Sequence, residues 1–147
     1  MATRAAAPRR ISILGAYSSS TLVDVRWRFW AAIRKLAFAT GDIFATVALL
    51  KGNGFRPLPM SPNYYDDIEA RFGLDGDLMS RLRAENILYD RDPRGEYFQL
   101  YCPTYGDGFI FEIVERRGSY PGYGAANASF RIAAQKRHLT STSVLEL

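Results

Sequence analysis

The sequence predicts an α+β domain in which helices cover one face of a mixed, curved sheet. Three observations carry that expectation. The chain has 147 residues, 48% of them hydrophobic and 14% aromatic, which suits a single compact core. Its apolar residues recur with helical spacing up to about Asn86 and with two-residue alternation from Ile87 onward. A short apolar strand also precedes the first helix, so the order is strand, helices, then several strands, the arrangement of a layered α+β fold.

Residues 34–40, RKLAFAT, read as that first buried strand. Asp42 then stands where an N-cap would accept backbone N–H bonds for the helix DIFATVALLKGNG, which Gly52 and Gly54 end. Phe55 to Leu58 can form a brief strand before Pro59 and Pro62 force an extended connection. SPNYYDDIEARFG and DGDLMSRLRAEN carry helical periodicity, separated at Gly73, with Ile68, Phe72, Leu78 and Leu82 expected to face inward. Strands at 87–91, 96–102 and 108–116 follow as an antiparallel meander, joined by the turns PRG and TYGDG. A glycine-rich loop, GSYPGYGAAN, leads into a terminal helix, ASFRIAAQKRHL, and the final TSTSVLEL is expected to be loose. The expected division is a basic N-terminal segment over 1–33, poorly ordered or left from a preceding module, a folded module over 34–137 and a loose tail over 138–147.

Charge and cysteine content narrow the function classes. The net charge is +4, but residues 1–35 hold seven basic side chains against one acid, Asp24, so that segment carries +6 and the rest −2. An Arg- and Ser-rich start of this kind has the composition of a transit peptide, and Arg alternating with aromatics in VRWRFW would suit a nucleic-acid stacking platform. A solvated terminus and ordinary packing of Trp27 and Trp30 account for the same residues, and neither nucleic acid nor membrane is expected as a partner. Arg26, Arg28, Arg34 and Asp42 interrupt the longest apolar runs, so no membrane span is expected. Cys102 is the one cysteine; it can form no internal disulfide or thiolate zinc site, is expected to pack as a small apolar residue, and fits a cytoplasmic location.

Three blocks carry a resemblance: IRKLAFATGDIFATVALLKGNGFRPLPMSPNYYD, ILYDRDPRGEYFQLYC and FIFEIVERRGSYPGYGAAN. In this order and spacing they resemble the closing module of the 4-hydroxyphenylpyruvate dioxygenase family, where a V-Q-H-I-A strand precedes a D-I helix, L-V-D-x-D-G precedes L-L-Q-I-F, and F-F-E-I-I-Q-R-x-G precedes G-F-G-x-G-N. PNYYDDIEARFGL and GYGAANA look closest to the dioxygenase-like domain of bacterial bifunctional 3-dehydroshikimate dehydratases. The resemblance implies a single β-α-β-β-β vicinal-oxygen-chelate (glyoxalase/dioxygenase-like) module, half of a cupped sheet.

It also implies a site. Members of the family hold Fe(II) with two histidines and one glutamate, a facial triad with open positions for a 2-oxo acid and dioxygen. By motif position Glu112 is the one retained ligand, while Lys35 stands in place of a histidine. The other histidine would come from a preceding module, of which the chain holds at most a last strand near Arg10 to Leu14. Gln99, Tyr101 and Asn127 match substrate-facing positions, and Ala128 replaces an aromatic wall. Alternation alone leaves open that Glu112 faces solvent. A protonated lysine has no lone pair and repels a divalent ion, so Fe(II) is not expected to bind to this chain alone.

Other sites are weaker. Asp90-x-Asp92 with Gly95 is similar to a calcium loop, yet Pro93 and the lack of a later glutamate favour a hairpin turn. Tyr64, Tyr65, Asp66 and Asp67 could be acid–base groups, although acids are expected at a helix start anyway. The single histidine, His138, sits in a basic stretch and is expected to be solvated, so no Ser/His/Asp or Cys/His set can be assembled.

The expected function is therefore a truncated or degenerate dioxygenase-like module, not catalytic alone. The alternatives are a metal-dependent dioxygenase or 3-dehydroshikimate dehydratase-associated domain acting on a small aromatic or shikimate-type acid with a partner's ligands, and a non-catalytic binding or interaction module. A lone half-cup would also leave an apolar sheet face, drawn from YFQLY and FIFEI, open to a second copy or a missing partner module.

Overall fold

The computed structural model describes residues 12–13, 35–105 and 108–144; the segment with Trp27 and Trp30 lies outside them. Five strands form one mixed sheet in the order β1-β2-β5-β4-β3. They are β1 (Ser12–Ile13), β2 (Lys35–Ala39), β3 (Leu88–Asp92), β4 (Gly95–Tyr101) and β5 (Ile110–Gly118). β2 runs parallel to β5, while β3, β4 and β5 form the expected antiparallel meander. β1 pairs antiparallel with β2 at the far edge, within the 10–14 stretch.

The helices are α1 (Ile43–Gly52), α2 (Pro62–Phe72), α3 (Gly76–Glu85) and α4 (Ala128–Val144), the last preceded by a 3-10 turn at Ala125–Asn127. Asp42 caps α1 as expected, its carboxylate accepting from Ala45 N at 3.0 Å. Asp75 does the same for α3, accepting from the N–H groups of Asp77 and Leu78. Proline opens α2, where its lost N–H is harmless, and left-handed Gly73 closes it.

The core lies between the helices and one sheet face. Ile43, Phe44 and Val47 of α1 meet Phe98 and Leu100 of β4, with the Phe44 and Phe98 rings edge to face at 6.2 Å. Tyr89 stands between Phe98 and Phe72, at 5.1 and 5.5 Å. Ile68 and Leu82, expected to face inward, are fully buried, and Phe72 and Leu78 pack against the same cluster. Cys102 is buried as expected.

Several expectations need correction. Residues 55–60 form no strand; the prolines keep them extended, and Leu58 N–H donates to Tyr101 O at 2.8 Å as one isolated bond. The terminal helix does not stop near 139. It continues to Val144, and within it the Thr140 and Ser141 hydroxyls donate back to the carbonyls of Lys136 and Arg137, bonds that a helix tolerates. His138 lies half-buried on that helix rather than fully solvated. The second sheet face is not open and apolar either: Tyr97, Gln99, Tyr101, Glu112 and Val114 on it are all buried.

Candidate functional site

Pairing registers place Lys35 and Ala37 of β2, Glu112 and Val114 of β5, and Gln99 and Tyr101 of β4 on one side of the sheet, away from α1. Glu112 is 1% exposed on this side, so it does not face solvent. A carboxylate buried so deeply needs compensation. Lys35 supplies the charge: in the register it stands opposite Ile110, and its long side chain reaches two residues along β5, to the next position on the same face, so that Nζ lies 2.6 Å from Glu112 Oε2. The ammonium is anchored at the buried carboxylate, while the lysine side chain as a whole is 48% exposed.

The other carboxylate oxygen is used as fully. Oε1 accepts from Gln99 Nε2 and from the Tyr101 hydroxyl, each at 2.7 Å, and Gln99 Nε2 also reaches that hydroxyl at 2.8 Å. Asn127 Nδ2 donates to Gln99 Oε1 at 2.8 Å, while Tyr64 OH donates to Asn127 Oδ1 at 3.0 Å and accepts from Tyr89 N at 2.7 Å. The chain of bonds thus runs from Lys35 across the sheet to α2. Burial, and then the Glu112 carboxylate, hold the Tyr101 phenol far above its ordinary range, so it stays a proton donor.

The glycine-rich loop closes over the network. Gly124 has φ +61°, and a Cβ there would run into the Gln99 carboxamide. Tyr120 stacks on Tyr97 with ring centres 5.3 Å apart, and its hydroxyl donates to Asp90 Oδ2 at 2.6 Å. Arg116 ties the loop down by donating to the carbonyls of Tyr120 and Gly122 while its guanidinium covers the Tyr97 ring at 4.4 Å. On the other side of the network, α4 places Arg131 5.5 Å from the Tyr101 ring centre.

Of the positions inferred from the sequence, Glu112, Lys35, Gln99, Tyr101 and Asn127 are therefore brought together, bonded to one another. Tyr64 joins them as a structural relay, a role its place at a helix start did not reveal. Arg116 and Arg131 were overlooked; the aromatic residues around Arg116 in ERRGSYPGY were the available signal. Ala128 begins α4 without an aromatic ring, and Phe130 instead packs edge to face on Tyr64 at 5.0 Å. Asp92 accepts from the N–H groups of Arg94 and Gly95, an Asx turn and not a calcium loop. Asp66 and Asp67 form exposed pairs with Arg83 and Arg71. A second buried carboxylate, Glu115, faces the helices and accepts from Ile43 N at 2.7 Å, at the positive end of α1.

An iron ion does not fit this donor set. Both Glu112 oxygens are engaged, a cation already sits 2.6 Å from one of them, and among the described residues no group of three or more His, Cys, Asp or Glu side chains could hold a metal. What the arrangement offers is fixed hydrogen-bond donors and positive charge around one buried carboxylate.

No family model matches the chain. It is 45% identical over 105 residues to the 3-dehydroshikimate dehydratase of Pseudomonas aeruginosa, covering 71% of this chain and 17% of that protein. It is 33% identical over 97 residues to the 4-hydroxyphenylpyruvate dioxygenase of the same organism, covering 65% of this chain and 27% of the relative. A solved xylose isomerase-like TIM barrel/4-hydroxyphenylpyruvate dioxygenase fusion protein superposes with TM-score 0.69 and 42% identity, over 73% of this chain and 17% of that one. A 4-hydroxymandelate synthase mutant from Streptomyces coelicolor gives 0.62 and 28%, over 73% and 30%. The chain thus spans about a sixth of the dehydratases it matches. It carries a 4-hydroxyphenylpyruvate dioxygenase-like module of the vicinal-oxygen-chelate fold, related to the C-terminal part of those dehydratases.

Proposed function

We propose that this dioxygenase-like module does not catalyse a dioxygenase reaction by itself and that its Glu112 site works without iron. One observation carries the reading: Lys35 Nζ occupies the approach to Glu112 Oε2 at 2.6 Å, where by family position a histidine would stand. The ammonium neutralises the carboxylate, so an incoming divalent ion would have to displace it and meet its repulsion. Gln99, Tyr101 and Asn127, substrate-facing by resemblance, are tied into the same closed network and hold Glu112 in place. Burial and the Glu112 carboxylate keep the Tyr101 phenol protonated near neutral pH, so it offers no phenolate to act as a base.

The direct check is iron content and oxygen consumption of the full chain after anaerobic loading with Fe(II). Substoichiometric iron, and oxygen uptake with 4-hydroxyphenylpyruvate no greater than that of Glu112→Ala, are expected. Stoichiometric iron or uptake above that control would overturn the reading. Lys35→His alone should not restore activity, since one further nitrogen does not complete the triad.

A second reading has its own support, because the chain spans 17% of the 3-dehydroshikimate dehydratase and 27% of the dioxygenase it resembles. A second copy of the chain or a separate partner module would then complete the cup and supply iron ligands for a small aromatic or shikimate-type acid. Sedimentation across a concentration series separates the two: association that brings stoichiometric iron favours this reading. Among the described residues no helix is long and apolar enough to cross a membrane, and the single cysteine suits the cytoplasm as the site of action.

A further inference from the structure

We infer that the rings of Tyr97, Tyr120 and Tyr123, with the carbonyls of Tyr120 and Gly122, form a binding site for a guanidinium group. The chain fills this site with its own Arg116, and that occupation straps the glycine-rich loop over Gln99. All five groups meet at one point. The Arg116 guanidinium carbon lies 4.4 Å from the Tyr97 ring centre, 5.0 Å from that of Tyr123 and 5.9 Å from that of Tyr120. Its Nη1 donates to both carbonyls, to Tyr120 O at 3.2 Å and to Gly122 O. Ring faces attract a cation, and the carbonyl oxygens accept from the edge of its planar fork.

Three separate stretches of sequence build the site. Tyr97 stands opposite Arg116 in the pairing of β4 with β5, Tyr120 stacks on Tyr97 with the two rings 8° from parallel, and Tyr123 returns from further along the loop. The next arginine shows what is particular about this one. Arg117, on the opposite face of β5, meets the carboxylates of Glu115 and Glu96 at 2.7 and 3.8 Å. Among the described residues no carboxylate lies within ion-pair distance of Arg116. Its surroundings are neutral rings and carbonyls, which suit a planar, weakly hydrated guanidinium better than a compact ammonium.

The strap follows from how the loop is attached. Gly118 and Gly124 bound it at φ +67° and +61°, a region that glycine enters without strain. The loop's own bond to the network, from Gln99 Nε2 to Tyr123 O, is long at 3.3 Å, and long bonds are weak. Arg116 grips two carbonyls between the glycines, while the Tyr120 hydroxyl adds a tether to Asp90. Releasing Arg116 therefore loosens the segment that holds Gly124 against the Gln99 carboxamide, and Gln99 is the cover of Glu112. The strap is the same whether or not Glu112 takes a metal.

Chemical rescue of Arg116→Ala in the full chain, read by amide hydrogen exchange, tests the inference. The Gly124 amide is buried and donates to the Tyr120 hydroxyl at 3.4 Å. It should exchange about tenfold faster in the variant, while the Phe98 and Leu100 amides of β4 keep their protection. Guanidinium chloride at on the order of 10 mM, far below the molar range that unfolds proteins, should restore Gly124 protection saturably. Ammonium chloride at the same ionic strength should not, and Arg116→Lys should behave like the unrescued variant because it keeps the charge and loses the fork. Arg81→Ala is the control, since it removes an arginine that lies 3.8 Å from the Phe44 ring on the helix side and should leave Gly124 unchanged. Parent-like Gly124 exchange in both Arg116 variants, restoration by ammonium as good as by guanidinium, or no restoration by guanidinium in a folded Arg116→Ala chain would each overturn the site. If Arg116→Ala does not fold, Arg116→Lys decides: faster Gly124 exchange with Phe98 unchanged supports the strap, and parent-like exchange overturns it.

Discussion

The two faces of the sheet are built on different principles. On the helix side Phe98, Leu100, Ile43 and Val47 fill space without directional bonds, so each contributes through the area it removes from water and the gap it would leave. On the loop side Lys35, Glu112, Gln99, Tyr101, Asn127 and Tyr64 form a sequence of hydrogen bonds in which each member satisfies the next. The first kind of face degrades gradually under substitution. The second depends on every member being present, since a half-satisfied buried network is worse than an apolar one.

Substitutions can break that contrast. The largest loss is expected from Phe98→Ala, a fully buried ring in contact with Phe44 and Tyr89, at roughly 3–5 kcal/mol by denaturant unfolding. A loss under about 1 kcal/mol would mean that the helix-side core repacks freely. Next comes Lys35→Met, which strands Glu112. Because the lysine side chain is half exposed, the cost should be roughly 2 kcal/mol, below that of breaking a fully buried pair. Adding Glu112→Gln should recover most of it. If the two losses simply add, the loop-side residues are independent and the contrast fails.

The smallest effect at neutral pH concerns Tyr120, whose hydroxyl burial and then the Asp90 carboxylate push up to about 12 from 10.0. A pKa raised on folding favours the protonated phenol, so this stabilisation is complete below about pH 10 and is lost as pH rises through about 12. Tyr64, Tyr97 and Tyr101 are shifted the same way. Tyrosinate absorbance should therefore rise together with loss of near-UV circular dichroism in that window. Asp90→Asn should bring Tyr120 ionisation down; an unchanged alkaline titration would show that the loop does not depend on that bond.

How much could be read beforehand differs between the same two faces. The helix side was legible because its signal is periodic: alternation placed the strands from Ile87 onward, and Asp42 and Gly73 mark helix ends by local chemistry that the structure keeps. Residues 55–60 misled because an apolar run beside prolines satisfies strand spacing without the N–H groups a ladder needs. The loop-side members Glu112, Gln99, Tyr101 and Asn127 were found through motif position, since no periodicity distinguishes a buried carboxylate from a solvated one. That Lys35 would bond Glu112 was not legible, because it depends on a parallel register between residues far apart in sequence. Around Glu112 the face expected to be open and apolar turned out polar and covered, because the glycine-rich loop folds back over Gln99 there.

That parallel register also bears on the order in which the chain organises itself. The hairpins of β3, β4 and β5 close through short turns, whereas β2 must find β5 across the whole intervening chain, Lys35 opposite Ile110. Loop-closure entropy delays such a contact until the meander exists to receive it. The Lys35–Glu112 clasp is accordingly a late event in folding, set on a template assembled without it. Until β2 docks, β5 is a free edge, and there Glu112 can stay hydrated without the penalty that burial later imposes.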